Sequence, residues 1–430
     1  MRNADFRRFW FGQTVSLFGS QVTFLALPLT AILVLQASPL EMGVLAAVEW
    51  APFLFLTLPA GAWVDRVRRR PVLIAANLVR AALLGVVPIA ALLGVLSYPL
   101  LLVVALAVGL AAVFFEVAFP AYVPSLVGRE ALAGANARIF ASASSAEVVG
   151  PGAGGVLVSL VGAPLALAAD ALSYLVAGLS LVGIRRDEAL PEAPGRRDLR
   201  AEIVEGLRAT FGHPILRVFA FEAATFNLFV NALNAAFLLF LTRELGLSPA
   251  VVGIVFAVAA LGSLGGSLAA GRLGTRFGLG PTIVSAMVIA CGVYLAIPVL
   301  PTSPSAAAVM LALVLAVAGA FVAITVIHVI TIRQSITEDR LLARMNASYR
   351  TLAYGMVPIG AVLGGVVGEL FGLRAAILVG CVGIALAPLW VVLSPVWRIR
   401  TIADVPRVGE GRATFGPPDR RSPSVSPGLG

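Results

Sequence analysis

The 430-residue chain contains no lysine; all 31 of its basic side chains are arginine, and with 22 acidic residues the net charge is +9. Exclusive use of arginine points to the coding bias of a GC-rich bacterial genome. A basic balance can mark a nucleic-acid partner, but here the arginines sit in short blocks between long apolar runs, which argues against one. Charged residues are also scarce, 12% of the chain against 59% hydrophobic ones. A soluble globular protein carries roughly 25%. With a mean hydropathy of +0.97, the chain cannot hide its apolar surface from water, so its solvent must be lipid. The only two cysteines, Cys291 and Cys381, fall inside predicted spans, as small apolar fillers rather than a disulfide or metal pair. His328 ends the tenth span beside no acid or second ligand. HExxH, GxSxG and Walker A motifs are absent. Hydrolysis and ATP coupling therefore lack residues, so neither an enzyme nor a cofactor is expected. The N-terminus, Met1 to Arg8, leads into an apolar run too long for a signal peptide.

What the chain does have is itself, twice. An offset of 210 pairs Gly61 with Gly271, Ser38-Pro39 with Ser248-Pro249, and Gly43 with Gly253. It also pairs Asn136 with Asn346, Gly150 with Gly360, Gly154-Gly155 with Gly364-Gly365, and Gly162 with Gly372, without insertion or deletion. Doubled apolar halves mark secondary transporters, whose binding site lies between the halves.

Spans of about 20 apolar residues are expected near 11–35, 43–63, 71–95, 99–121, 138–161, 164–184, 214–241, 250–270, 281–300, 305–328, 348–370 and 373–396. The fold class is an all-α polytopic membrane bundle of twelve helices. Six form an N-terminal half (1–184), six a C-terminal half (214–396), joined by a linker (185–213) and followed by a disordered tail (397–430). Arginines crowd the N-terminus, the loops at 64–70, 122–138, 271–280 and 331–350, the linker and the tail. The loops near 36–42, 96–98, 162–163 and 301–304 have none; Arg243 and Arg374 are the exceptions. The positive-inside rule then puts both termini in the cytoplasm of a bacterial cell, with the bundle in its cytoplasmic membrane. In the linker, Leu199, Ile203, Leu207 and Phe211 recur every four residues and predict an amphipathic surface helix.

The run Gly61-Ala62-Trp63-Val64-Asp65-Arg66-Val67-Arg68-Arg69-Arg70 resembles the loop signature of the major facilitator superfamily between its second and third spans. Physically, Gly61 lets two helices approach and Asp65 can accept from an Arg or a helix N-terminus. The resemblance implies that Gly61, Asp65, Arg66, Arg69 and Arg70 latch the outward-facing state. Arg68 stands where a glycine is usual, and the second copy has Thr275 in place of the acid. In the fifth span, Gly150-Pro151-Gly152-Ala153-Gly154-Gly155 resembles the core of the antiporter signature of drug exporters. Its alternative meaning is plain close packing of helices. A dinucleotide-binding reading of the same glycines fails, because no strand precedes them. Phe6-Arg7-Arg8-Phe9-Trp10, Gly12-Gln13, Leu78-Val79-Arg80-Ala81 and Ala135-Asn136-Ala137 extend the resemblance to the drug:proton antiporter branch that includes macrolide and siderophore exporters. The resemblance implies a monomeric, proton-coupled exporter of hydrophobic or amphipathic small molecules; the alternatives are a dedicated siderophore or metabolite exporter, an importer, and a non-transporting membrane sensor or scaffold. Ser20 and Asn77 replace acids common there, and Ala105 replaces an arginine used in coupling by other branches.

Ionisable groups within spans are costly and point to function. Glu49, Glu116, Glu147, Asp170 and Glu222 are the candidate proton carriers, with Arg80 as a structural partner. Gln13, Gln21, Phe24, Asn227, Asn231 and Asn234, from the first and seventh spans, are the candidate cavity lining; the amides could equally glue helices together.

Overall fold

A computed structural model describes residues 4–128, 130–184, 188, 199–406 and 408. Among them every regular element is a helix. Six spans come first: α1 (Ala4–Leu33), α2 (Pro39–Val64), α3 (Arg69–Leu92), α4 (Tyr98–Val127), α5 (Leu132–Val161) and α6 (Ala163–Val182). A short α7 (Leu199–Gly212) follows. Then come α8 (Pro214–Leu239), α9 (Pro249–Phe277), α10 (Leu279–Gly292), α11 (Pro304–Ile336), α12 (Asp339–Phe371), α13 (Leu373–Leu386) and α14 (Leu389–Val392). A π-helical turn, Phe240–Glu244, prolongs α8, and a 3-10 turn, Val293–Val299, prolongs α10. Twelve helical stretches are long and apolar enough to cross a bilayer. Large apolar side chains such as Leu92, Leu160, Leu268 and Leu393 stand on the outside, as a lipid solvent requires.

Local chemistry sets the helix starts. At the arginine-poor end α2 and α9 begin with Ser-Pro: Ser38 and Ser248 cap the amides of Glu41 and Val251, and proline takes the first helical position. Glu41 completes a capping box on Ser38. Gly162 and Gly372, one repeat apart, make the reversals into α6 and α13 at φ +86° and +88°, which side chains disfavour.

Several helices outrun their apolar stretches. The expected spans 305–328 and 348–370 lie inside helices of 33 residues each, about 50 Å long. Hydropathy marks only the part in hydrocarbon, whereas backbone hydrogen bonding carries the helix on into water. The linker helix also differs from expectation. Its buried face is Gly206, Ala209 and Thr210, while Leu207 is exposed; the side chains of Leu199 and Ile203 lie outside the described residues. Gly206 sits against the Arg344 carbonyl of α12, Thr210 Oγ1 donates to the carbonyl of Met345, and Glu205 pairs with Arg344. Small residues thus let α7 dock on α12, which a search for a large-residue stripe misses.

The expected disordered tail is ordered up to residues 406 and 408, because it completes the ends of other helices; residues 409–430 lie outside the described ones. The carbonyls of Ile399 and Arg400 accept from Gly280 and Leu279 at the start of α10, at 2.7 and 3.1 Å. Val396 and Ile399 are buried in an apolar cluster with Ile283 and Ile332. His213 caps α8 by accepting from the Leu216 amide through Nδ1, while its Nε2 donates to the Pro406 carbonyl at 3.0 Å. Burial pushes the His213 imidazole below its ordinary value of 6.5, against a smaller opposing pull from that carbonyl. The unfolded chain therefore takes up a proton that the fold resists. The stability this residue contributes is present above pH 6.5 and is lost as pH falls below it. Replacing it by asparagine, a good cap that does not titrate, is expected to leave thermal stability at pH 7.5 nearly unchanged. The same variant should flatten the loss of melting temperature between pH 6.5 and about 5; an unchanged slope would show that other groups set it.

Candidate functional site

The two sets of six spans meet along α2 against α12 and α5 against α9. The contacts obey the repeat offset. A methyl group at Gly155 would strike the Pro249 carbonyl oxygen and lie 3.0 Å from Gly253 Cα. Adding 210 to 155 gives 365, and subtracting it from 253 gives 43. A methyl group at Gly365 would correspondingly meet the Pro39 carbonyl at 2.9 Å and lie 3.1 Å from Gly43 Cα, and one at Gly43 would strike the Ala361 carbonyl as one at Gly253 strikes that of Pro151. Two hydrogen bonds follow the same exchange: Ala250 N–H to Ser159 Oγ at 3.0 Å, and Leu40 N–H to Glu369 Oε2 at 3.2 Å. The seam is therefore one interface made twice, at the arginine-poor end. Within each set the repeat holds as well. Gly150 and Gly154 receive Gln21 and Val22 of α1, while Gly360 and Gly364 receive Leu228, Asn231 and Ala232 of α8. The antiporter-like motif thus presents Gly150 and Gly154 to α1 and Gly155 to α9.

Arg243, an exception to the charge pattern, also crosses the seam. Its guanidinium donates to the carbonyls of Ala37 and Ile32 at 3.0 and 3.5 Å, beyond and within the last turn of α1. Those oxygens have no helical donor of their own. The other exception, Arg374, pairs with Glu244 within its own set of helices at 2.8 Å.

In the 61–70 loop the geometry differs from expectation. A methyl group at Gly61 would meet nothing nearer than Val117 Cγ1 at 4.0 Å, so no close helix approach requires this glycine. Asp65 ends α2, half-buried, and Arg66 is exposed. Arg69 and Arg70 open α3, and both oxygens of the Glu188 carboxylate accept their amides at 2.9 Å. Arg69 adds an ion pair to Glu188 at 3.8 Å, and Arg70 donates to the carbonyls of Leu181 and Val182 at the end of α6. A negative group at a helix start and a positive one at a helix end both complement the backbone dipole. Nothing near Glu188 in the sequence signals this role, since its partners lie more than a hundred residues away.

A buried polar cluster joins α1, α3 and α6. Asp170, fully buried, accepts from Thr23 at 2.6 Å and Ser173 at 2.8 Å. Arg80 donates to Asn77 at 2.9 Å and lies over the rings of Phe115 and Tyr174, at 4.3 and 4.2 Å. Tyr174 reaches Ser20 at 2.9 Å. Hydroxyls and ring faces thus satisfy the buried charges, and Ser20 and Asn77, noted as departures from the family pattern, belong to this cluster.

The other candidate carboxyls are scattered. Glu116 and Glu147 are exposed and Glu49 is half-buried. Glu222 is 9% exposed, with no hydrogen bond or ion pair among the described residues. It lines a half-open cavity of about 500 Å³ between α8, α10, α11 and α12, together with Phe226, Asn227, Cys291, Thr325, Arg333, Asn346, Tyr349, Arg350 and Tyr354. Of the six residues expected to line a cavity, Asn227 lines this one. Gln13 is buried, Gln21 packs on α5, and Phe24 meets Phe256 edge-on at 5.7 Å. Asn231 faces Gly360 and bonds back to its own helix, and Asn234 is exposed.

The two copies differ around this cavity. Arg80, Phe115 and Phe119 of the first copy are matched 210 residues later by the smaller Ala290, Thr325 and Val329, whereas Gly12, Ser16, Val123, Ile139 and Ser144 are matched by the larger Glu222, Phe226, Arg333, Tyr349 and Tyr354.

Residues 1–408 match the transmembrane secretion effector family of the major facilitator type. The chain is similar to the multidrug efflux pump Tap of Mycolicibacterium fortuitum, 28% identical over 373 residues, which are 84% of this chain and 88% of that protein. In structure it resembles a bacterial homologue of the human lysosomal transporter Spinster in an inward-facing, occupied conformation. The TM-score is 0.71 at 16% identity, covering 93% of this chain and 97% of that one. It also resembles a bacterial homologue of the iron transporter ferroportin in an inward-facing state, with a TM-score of 0.70 at 16% identity, covering 91% and 99%.

Proposed function

The chain belongs to the transmembrane secretion effector family of major facilitator transporters, and from that premise we propose that it exports hydrophobic or amphipathic small molecules in exchange for protons. The observation that carries this reading is the seam written twice at one end of the bundle. An interface held there by close glycine contacts and a few hydrogen bonds can part as one piece, which is what alternating access needs. With the arginine-rich loops in the cytoplasm, the seam closes the outer end of the two halves, 1–184 and 214–396, and the state is inward-facing. The conformations of the Spinster and ferroportin homologues and the efflux activity in the name of the Tap relative agree with this reading.

Coupling falls to a buried carboxyl. Asp170 is held by hydroxyls beside Arg80, whereas Glu222, which has no partner among the described residues, needs a proton or a cation. In everted vesicles under an imposed proton gradient, macrolides, dyes and catechol siderophores would be tested for uptake and proton release. A transported compound is expected to release protons, and Glu222→Gln should uncouple the two fluxes by at least tenfold, while Glu116→Gln and Glu147→Gln leave them linked. Uptake without proton movement in the wild type refutes coupling, and no gradient-driven uptake of any compound by folded protein refutes export. Asp65→Asn should slow turnover more than it weakens ligand binding; unchanged transport removes the latch role.

A further inference from the structure

The cavity in the second repeat is lined by Glu222 and two arginines, of which Arg350 is exposed and lies over the Tyr354 ring, while the buried Glu222 and Arg333 are not paired with each other. Glu222 stands about two turns into α8 and has no partner among the described residues. Arg333, one turn from the end of α11 and 7% exposed, gives one arm to Asn346 and lies 3.5 Å over the Tyr349 ring. Its Nε is buried without a partner, and so is Thr325 Oγ1 on the same wall. Buried polar atoms are almost always satisfied. Two buried polar atoms without a partner, beside a carboxyl that has none among the described residues, surround one void of ligand size and offer a polar ligand its contacts. A ligand with a single charge would satisfy one of the two ionised groups and leave the other buried and alone, at a large desolvation cost.

We propose that this cavity binds an elongated aromatic zwitterion, with an amine at Glu222 and a carboxylate-type acid at Arg333. Phe226, Tyr349 and Tyr354 flank the body of the molecule. Tyr349 has its ring under the Arg333 guanidinium and lines the cavity together with Glu222, so a flat ligand lying on that ring can reach toward both charges. The first repeat has no counterpart of the two charges: Gly12 and Val123 stand where the second has Glu222 and Arg333. That the occupant is also the transported molecule rests on the export reading; the binding site does not.

The test uses the purified full chain in lipid nanodiscs and 4′-(aminomethyl)biphenyl-4-carboxylic acid, its methyl ester (cation) and its N-acetyl derivative (anion), with affinities from calorimetry. The zwitterion is expected to bind at least tenfold tighter than either derivative. Glu222→Gln should erase its advantage over the anion and keep that over the cation; Arg333→Gln should do the reverse. Thr325→Phe, which matches the residue of the other repeat, should abolish binding of all three while leaving thermal stability equal or higher. Equal binding of the three probes, a preference unaffected by both charge variants, or full binding to Thr325→Phe would overturn the proposal. Should Thr325→Phe lose binding yet transport normally in vesicles, the site stands and its place on the transport path falls.

Discussion

Valine at Gly155 is expected to reduce transport more than tenfold in a protein that still folds. The first added carbon meets the Pro249 carbonyl and lies 3.0 Å from Gly253 Cα, and these are backbone atoms that no rotamer change can withdraw. Overpacking a tight contact costs about 1–3 kcal/mol, and this contact belongs to the interface between halves rather than to the core of either. The strain is relieved by parting the seam, so the protein should accumulate with its outer end open. Gly43→Val should act in the same way through Gly365, because the two sites exchange under the repeat. Gly265, on α9 like Gly253, faces open space, and Gly265→Val should transport normally. Labelling a cysteine placed at Ser159 with a membrane-impermeant maleimide reads the seam directly. Faster labelling in Gly155→Val than in Gly265→Val is the expected result, and equal transport by the two variants would remove the seam from the mechanism.

The same seam shows how much was legible before the structure. Every glycine in it was visible in the sequence as a pair held at an offset of 210, and the twelve apolar runs gave the spans. Periodicity and composition survive translation into structure because helices in lipid have few ways to satisfy their backbones. The helix overhangs were not legible, since water makes no demand for apolar residues. Nor was Glu188, whose partners are brought to it only by the fold. Of the amides expected to line a cavity in the first and seventh spans, Asn227 lines the one beside Glu222, while Gln21 and Asn231 occupy equivalent positions that the two halves fill with close-packed glycine. The cavity beside Glu222 is lined where the copies differ, with Glu222 and Arg333 standing where the first half has Gly12 and Val123. Reading one repeat against the other for gained charge, rather than for shared letters, points to it.

Arg243→Gln is expected to shift the balance of states about tenfold toward an open outer end. The two exceptions to the arginine pattern separate the effect of charge from that of position. Arg243 reaches from the π-helical turn after α8 to two carbonyls at the end of α1; both helices must be in register for those bonds to form. A hydrogen bond to a charged donor contributes about 1.5–3 kcal/mol when buried. Arg243 is exposed, so about 1.4 kcal/mol in all is a fair discount, and that is a factor of ten in the ratio of states. Arg374→Gln removes the same charge from the same end but breaks only a pair with Glu244 in its own half. It should leave the ratio where it was. Spin-label distances across the outer ends of α1 and α8, measured by double electron–electron resonance, would report both. Equal shifts in the two variants would mean that the net charge of that end sets the equilibrium, not the bonds from Arg243. A shift confined to Arg243→Gln would identify those bonds as the catch that the transporter must release in each cycle.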